Sequence, residues 1–207
     1  MSRTTPLALL LAFLWTLSTT AQSSADYFPV VAGTLYTYNG VFNGNKSSGT
    51  LRLDRKVLSD KTEVFYFART NELNREHHII GSNAFGLGCY FHGKEGVYTV
   101  EAFWNFDLDT VTSESKQILL PASLKAGTKW DLQIKGSDPK TTLEVVGFEN
   151  VKVTAGEFKD CVKLHRHEIW ANGKEYDSYA WFAKGVGMVK WVRSTGRIDE
   201  LAKVEKP

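Results

Sequence analysis

Cysteine is scarce in this chain. Cys89 and Cys161 are the two present among 207 residues, and their separation matches no recognised metal-ligand spacing. In an oxidising compartment they become a candidate disulfide, which the chain-entropy account values at about 4 kcal/mol for so long a loop. Two unbridged, buried thiols acting as small hydrophobes are the other reading. No cysteine stands immediately after the first apolar run, the first being Cys89, so the acylation site of a bacterial lipoprotein is missing and no membrane anchor is expected. No later apolar stretch approaches the roughly 20 residues a spanning helix needs. Charge of one sign is not in excess: 25 Lys and Arg against 23 Asp and Glu. No basic stripe alternates with aromatics, which argues against nucleic acid as a partner. Also missing are a Gly-x-Ser-x-Gly elbow, a His-Glu-x-x-His helix and a Walker loop. The sequence therefore supports no catalytic assignment and calls for no cofactor.

At the start of the chain stands Arg3, then an apolar run from Leu7 to Leu17, then Ser18-Thr19-Thr20-Ala21. A short positive segment, a brief apolar core and small residues at the end make a secretory signal peptide. Residues 1–21 are read as that signal, and residues 22–207 as one exported, soluble domain, in the periplasm or the medium. Its oligomeric state is open.

The helical period of 3.6 is nearly missing from residues 22–207, and alternation with period two dominates. The fold class is all-β: an antiparallel meander forming a curved sheet, a partly open barrel or a sandwich. The clearest strand runs from Val97 to Asp109. Tyr98, Val100, Ala102, Trp104, Phe106 and Leu108 would face the core, with Thr99, Glu101, Asn105 and Asp107 wet. Trp130, Leu132 and Ile134 alternate with Lys129, Asp131, Gln133 and Lys135 in the same way. Other strands are expected near 34–42, 50–58, 63–71, 84–92, 141–149, 158–169, 176–182 and 187–194. Asn172-Gly173 reads as a type I′ hairpin turn, and residues 43–49 as a polar connection. Residues 107–117 are the best long loop. Gly33, Gly127 and Gly156 each precede an aromatic-bearing strand within similar local sequence. A reused turn explains this, and so does a duplicated half-domain.

Three stretches carry a resemblance. They are Tyr27-Phe28-Pro29 through Gly33 and Tyr36, then Val153-Thr154-Ala155-Gly156-Glu157-Phe158 to Cys161, then Trp181-Phe182-Ala183-Lys184-Gly185-Val186-Gly187-Met188-Val189-Lys190. Together they resemble motifs of a broad group of uncharacterised bacterial exported β-rich proteins. Tyr36 stands where that group usually has Trp, and Lys184 where it often has Pro. The resemblance implies one β-rich domain across most of the chain and assigns no chemistry.

Functional candidates come from single residues. Aromatics are 13% of the chain, and most large rings fill core space. A sheet that curls without closing would offer its concave face to a hydrophobic small molecule, with Tyr98, Val100, Trp104, Phe106, Trp130 and Leu132 as the lining. The alternative is a module for carbohydrate or another envelope component. The exposure of Trp104, Trp170, Trp181 and Trp191 discriminates between the two. His165 and His167 share a strand face, but zinc wants three or four donors, so no metal is expected. His77 and His78 would point to opposite faces of a strand. Asp107 and Asp109 are strand neighbours, and glycosidase carboxylates flank a cleft instead.

Overall fold

The structure is a computed structural model that describes residues 21–69, 89–100, 112–132 and 139–207. Residues 1–20 of the expected signal sequence, the Trp104 and Phe106 positions, the Asp107–Asp109 pair and His77-His78 lie outside the described residues.

The alternating pattern folds as read, into antiparallel strands. In chain order these are β1 (Gln22–Ser23), β2 (Leu35–Phe42), β3 (Asn45–Val57), β4 (Glu63–Arg69), β5 (Cys89–Gly93), β6 (Gly96–Val100) and β7 (Gln117–Pro121). They continue with β8 (Ser123–Leu124), β9 (Lys129–Leu132), β10 (Lys140–Val153), β11 (Gly156–Ile169), β12 (Glu175–Ala183), β13 (Gly187–Val192) and β14 (Ile198–Glu205). Twelve of them form one sheet in the order β7-β6-β5-β4-β3-β2-β14-β13-β12-β11-β10-β9, and β1 pairs with β8 apart from it. The fold is all-β and antiparallel throughout.

A twelve-stranded twisted sheet has to curl, and its two outer strands then approach each other. Here β7 and β9 are those outer strands, and the Trp130 indole N–H on β9 donates to the Leu119 carbonyl on β7 at 3.2 Å. The chain between them carries β8, which pairs with β1, and Ser24 N–H donates to Ala122 O at 3.1 Å. The seam of a nearly closed barrel is thus bridged by a side chain and covered by the beginning of the described chain.

One face of the sheet encloses the main core, which includes Tyr36, Leu53, Phe67, Tyr90, Leu143, Leu164, Phe182 and Leu201. One end of this interior is filled by the segment after β1. Phe28 stacks on Phe182 at 5.1 Å and meets Tyr90 edge-on at 5.2 Å. The Tyr90 hydroxyl donates to the Pro29 carbonyl, and Gly185 N–H to Asp26 O at 2.7 Å. The opposite end carries the β2–β3, β11–β12 and β13–β14 connections.

Several local expectations are altered. Strand β6 was expected to have one wet face, and it is buried from Gly96 to Val100. Val97 belongs to the main core, while Val100 joins Leu58, Val64 and Cys89 in a second cluster on the outer face of the sheet. Buried Thr99 meets its polar requirement by donating to the Cys89 carbonyl at 2.9 Å. The type I′ turn sits at Asn43-Gly44, where both φ angles are positive, and the polar run 45–49 is strand rather than loop. At residues 170–174, Gly173 has positive φ and Asn172 does not. Gly173 N–H donates to Trp170 O at 2.8 Å and Trp170 N–H to Lys174 O at 3.0 Å, giving a longer hairpin loop than a two-residue turn.

Two of the three Gly-containing stretches open a strand with the same turn. Gly33 N–H donates to Leu53 O at 2.7 Å and Leu53 N–H to Thr34 O at 2.9 Å. Gly127 N–H donates to Val145 O and Val145 N–H to Thr128 O at the same two distances.

The candidate disulfide is corrected. Cys89 and Cys161 are both free and buried. Cys89 lies in the outer cluster and Cys161 in the main core. Even across the closed seam, β6, β7, β9 and β10 stand between β5 and β11. Each strand step is about 4.8 Å, against a Cα separation of at most about 6.8 Å for a disulfide. Burial pushes the Cys89 thiol up to about 12 and the Cys161 thiol up to about 11, so neither is a nucleophilic thiolate near neutrality. Alkylation at pH 8 without reductant is expected to modify neither cysteine in the folded protein and both after unfolding. Mass spectrometry showing an unmodified, bridged pair after unfolding would contradict this.

Candidate functional site

The residues expected to line a single hydrophobic cavity divide between the two faces of the sheet. Tyr98 and Val100 face outward. Tyr98 stacks on Phe91 at 5.3 Å and donates its hydroxyl to Glu95 at 2.7 Å, while Val100 packs in the outer cluster. Trp130 and Leu132 face the interior, Leu132 fully buried and Trp130 packed against the main core. Antiparallel register dictates this split. Cys89 pairs with Val100 and Phe91 with Tyr98, whereas Trp130 pairs with Leu143 and Leu132 with Thr141.

The interior face changes character toward the end opposite Phe28. One cross-strand row runs through Val145, Leu164, Ala180, Trp191, Asp199, Gly40 and Ser47. Its apolar half lies over the core, and its Asp199 half is polar. Buried Asp199 accepts from Arg193 Nε and Arg197 Nε, each at 2.8 Å, one on each carboxylate oxygen. The Arg193 guanidinium also lies 3.9 Å from the centre of the Trp191 ring. Gly40 leaves room for this group, since a Cβ there would sit 2.3 Å from an Arg197 nitrogen and 2.7 Å from an Asp199 oxygen.

The next rows toward the rim pair Leu143 with Arg166 and Ser178, then Thr141 with Glu168 and Tyr176. Arg166 and Glu168 form an ion pair at 2.6 Å. Burial works against the arginine charge, and Glu168 opposes that effect. Beyond the pair the interior opens into a groove of about 250 Å³ lined by Glu168, Trp170, Asn172, Lys174, Tyr176 and Ser194. Trp170 is 42% exposed and Tyr176 37%. Their rings stand edge to face with centroids 6.4 Å apart. Trp181 and Trp191, by contrast, are buried. Asn172 fixes the hairpin tip, its side-chain oxygen accepting from Lys174 N–H at 3.0 Å. The groove therefore offers two partly exposed aromatic faces, a carboxylate, an amide, an ammonium and a hydroxyl.

On the outer face, His165 and His167 do project together, as their spacing predicts. Asp177 lies opposite His167 on β12. Its Oδ1 is 2.6 Å from His165 Nε2 and 3.0 Å from His167 Nδ1. Hydrogen bonds from His165 and then His167 hold the Asp177 carboxyl below its ordinary value. A depressed carboxylate stabilises the fold above its unfolded-state pKa, and that contribution fades as pH falls through the folded value. Elsewhere on this face, Lys129 meets Glu144 at 3.2 Å and Lys190 meets Glu200 at 2.8 Å. Among the described residues no helix is long and apolar enough to cross a membrane.

In class, then, the protein is an antiparallel, nearly closed β-barrel-like domain with a polar, aromatic rim. No family model matches the chain, and no curated protein matches it. Among solved structures it is similar to a candidate lipoprotein from Parabacteroides distasonis, with 14% identity and a TM-score of 0.39, over 89% of this chain and 100% of that one. A likeness that loose carries no argument about function.

Asp199 organises the polar half of the interior. Asp199→Asn is expected to lower stability by roughly 1.5–3 kcal/mol, the range for hydrogen bonds to charged groups, and Gly40→Ala to do so by displacing Arg197. Urea unfolding measures both. Wild-type midpoints in both variants would contradict the assignment.

Proposed function

We propose that this chain is an exported, soluble β-domain that binds a saccharide-like ligand at the open rim of its barrel. Export rests on Arg3, the Leu7–Leu17 run and the small residues before Gln22. The likeness of the Tyr27-Phe28-Pro29, Ala155-Gly156 and Gly185-Val186-Gly187 stretches to a bacterial exported group points the same way. The observation that carries the binding reading is the exposed Trp170–Tyr176 corner beside Glu168, Asn172 and Lys174. Sugar rings present C–H faces that stack on aromatic rings, and hydroxyls that pair with carboxylate, amide and ammonium groups. Both needs are met within one groove.

A carrier for an acyl chain is the reading that aromatic content first favours. It draws on Trp130 and Leu132, which do face inward. Tyr98 and Val100 would have to share that surface and lie on the other face. Tyr27, Tyr36, Tyr90 and Phe182 are each wholly buried within the same enclosed space. The rim therefore supports a binding role better than the interior does.

The test is titration of the mature protein with mixed bacterial and plant oligosaccharides, followed by NMR. The expected perturbations fall on the Trp170 indole and on residues 168–176, and Trp170→Ala and Tyr176→Ala each weaken binding about tenfold or more, the loss of a stacked aromatic. Binding that persists unchanged in both variants, or perturbations confined to the interior, would overturn the reading.

A further inference from the structure

We propose that His165, His167 and Asp177 form a binding site for a divalent transition metal of the zinc class on the outer face of β11 and β12. The site is independent of the saccharide reading, since it lies on the opposite face of the sheet from the rim groove.

The backbone sets the donor positions. Residues two apart on a strand project to one side, so both imidazoles of the His-Arg-His segment point outward. Register then places Asp177 directly across from His167. One ring nitrogen of each histidine and an Asp177 oxygen all lie within 4.8 Å of one another. A zinc-class ion holds nitrogen at about 2.0–2.1 Å and carboxylate oxygen at about 2.0–2.2 Å. Its tetrahedral ligands are therefore several ångströms apart, and small side-chain rotations bring these three donors to that spacing. Two imidazoles and one carboxylate select a transition metal over calcium or magnesium, which prefer all-oxygen shells.

A second observation is separate from this convergence. Each histidine turns its other ring nitrogen toward a further carboxylate. His165 Nδ1 is 3.8 Å from Glu144 Oε2, and His167 Nε2 is 3.8 Å from Glu175 Oε2. Carboxylates behind ligating imidazoles fix the tautomer and raise ligand basicity, and metal-bound histidines commonly have them. Tyr179 also stacks on the His165 ring at 4.7 Å with an interplanar angle of 13°, which limits its rotation. The ligand side chains are about one-fifth to one-half exposed. The ion has a route in, and its fourth position opens to water.

The experiment uses the mature chain without a histidine tag, titrated with Zn²⁺ by calorimetry and with Co²⁺ by visible absorption. One equivalent is expected to bind with micromolar or tighter affinity, with cobalt absorption of a four- or five-coordinate site, and no comparable binding of Mg²⁺. His165→Ala, His167→Ala and Asp177→Asn should each weaken Zn²⁺ by at least about tenfold, and Glu144→Gln and Glu175→Gln by less. Asp177→Asn changes an exposed side chain by one atom type, and its unfolding midpoint shows whether it remains folded. Failure of the wild-type protein to bind Zn²⁺ would overturn the proposal. So would full affinity in the folded Asp177→Asn variant or in the double histidine variant, which would put the metal on other histidines.

Discussion

Everything in this molecule depends on how a twelve-stranded antiparallel sheet disposes of its two edges. Left open, β7 and β9 would each expose a row of unpaired backbone groups. They are consecutive elements of the long sheet in the chain, separated by β8 alone, so the curl that buries the core also brings them together. The Trp130 indole spans the gap to the Leu119 carbonyl. β1 covers β8, and the residues after it carry Tyr27 and Phe28 into the end of the barrel. The N-terminal part of the described chain is thus a piece of the core, paired with β8 and packed against Tyr90 of β5 and Phe182 of β12.

Closure gives the sheet an inside, an outside and two unlike ends, and each plays a different part. At the Phe28 end, rings fill the interior and backbone groups are met by tyrosine hydroxyls. At the other end the apolar rows give way to Arg166–Glu168 and the Arg193–Asp199–Arg197 group. Burying Asp199 and most of Arg166 is tolerable because each is paired with an opposite charge. They hold the walls below the rim groove in place. The long β11–β12 hairpin then serves two surfaces at once, the rim on its interior side and the His165–His167–Asp177 cluster on its outer side.

Much of the architecture was legible in the alternation of apolar and polar residues, because period two says which class of element buries its face. What local pattern could not say was which side each residue would meet. Tyr98 and Thr99 both find buried surroundings because β6 is packed on both faces. Strand β14 escaped notice altogether. It places Asp199 inward, and a register shift between Leu201 and Lys203 breaks its alternation, yet it lies centrally between β2 and β13. The Asn-Gly signal marked two real turns and assigned the tight one to the wrong place, since Asn172 serves Lys174 N–H instead of adopting positive φ. The candidate sites were the least legible part. His165 and His167 were visible as a pair, but Asp177 joins them through register, and Trp170 meets Tyr176 across a hairpin. Neither relation exists along the chain. The two cysteines mislead for the same reason: compartment made a bridge plausible, and sheet order keeps it apart.

The central claim is that the sheet closes at the β7–β9 seam. Residue-resolved hydrogen exchange by NMR tests it most directly, with the Trp130 indole N–H as reporter. The account predicts exchange of that proton slowed to a degree approaching the amides of β2 and β14, together with a nuclear Overhauser contact to Leu119 or Leu120. Exchange at the rate of a free indole, with β7 and β9 amides behaving as open edges, would contradict it.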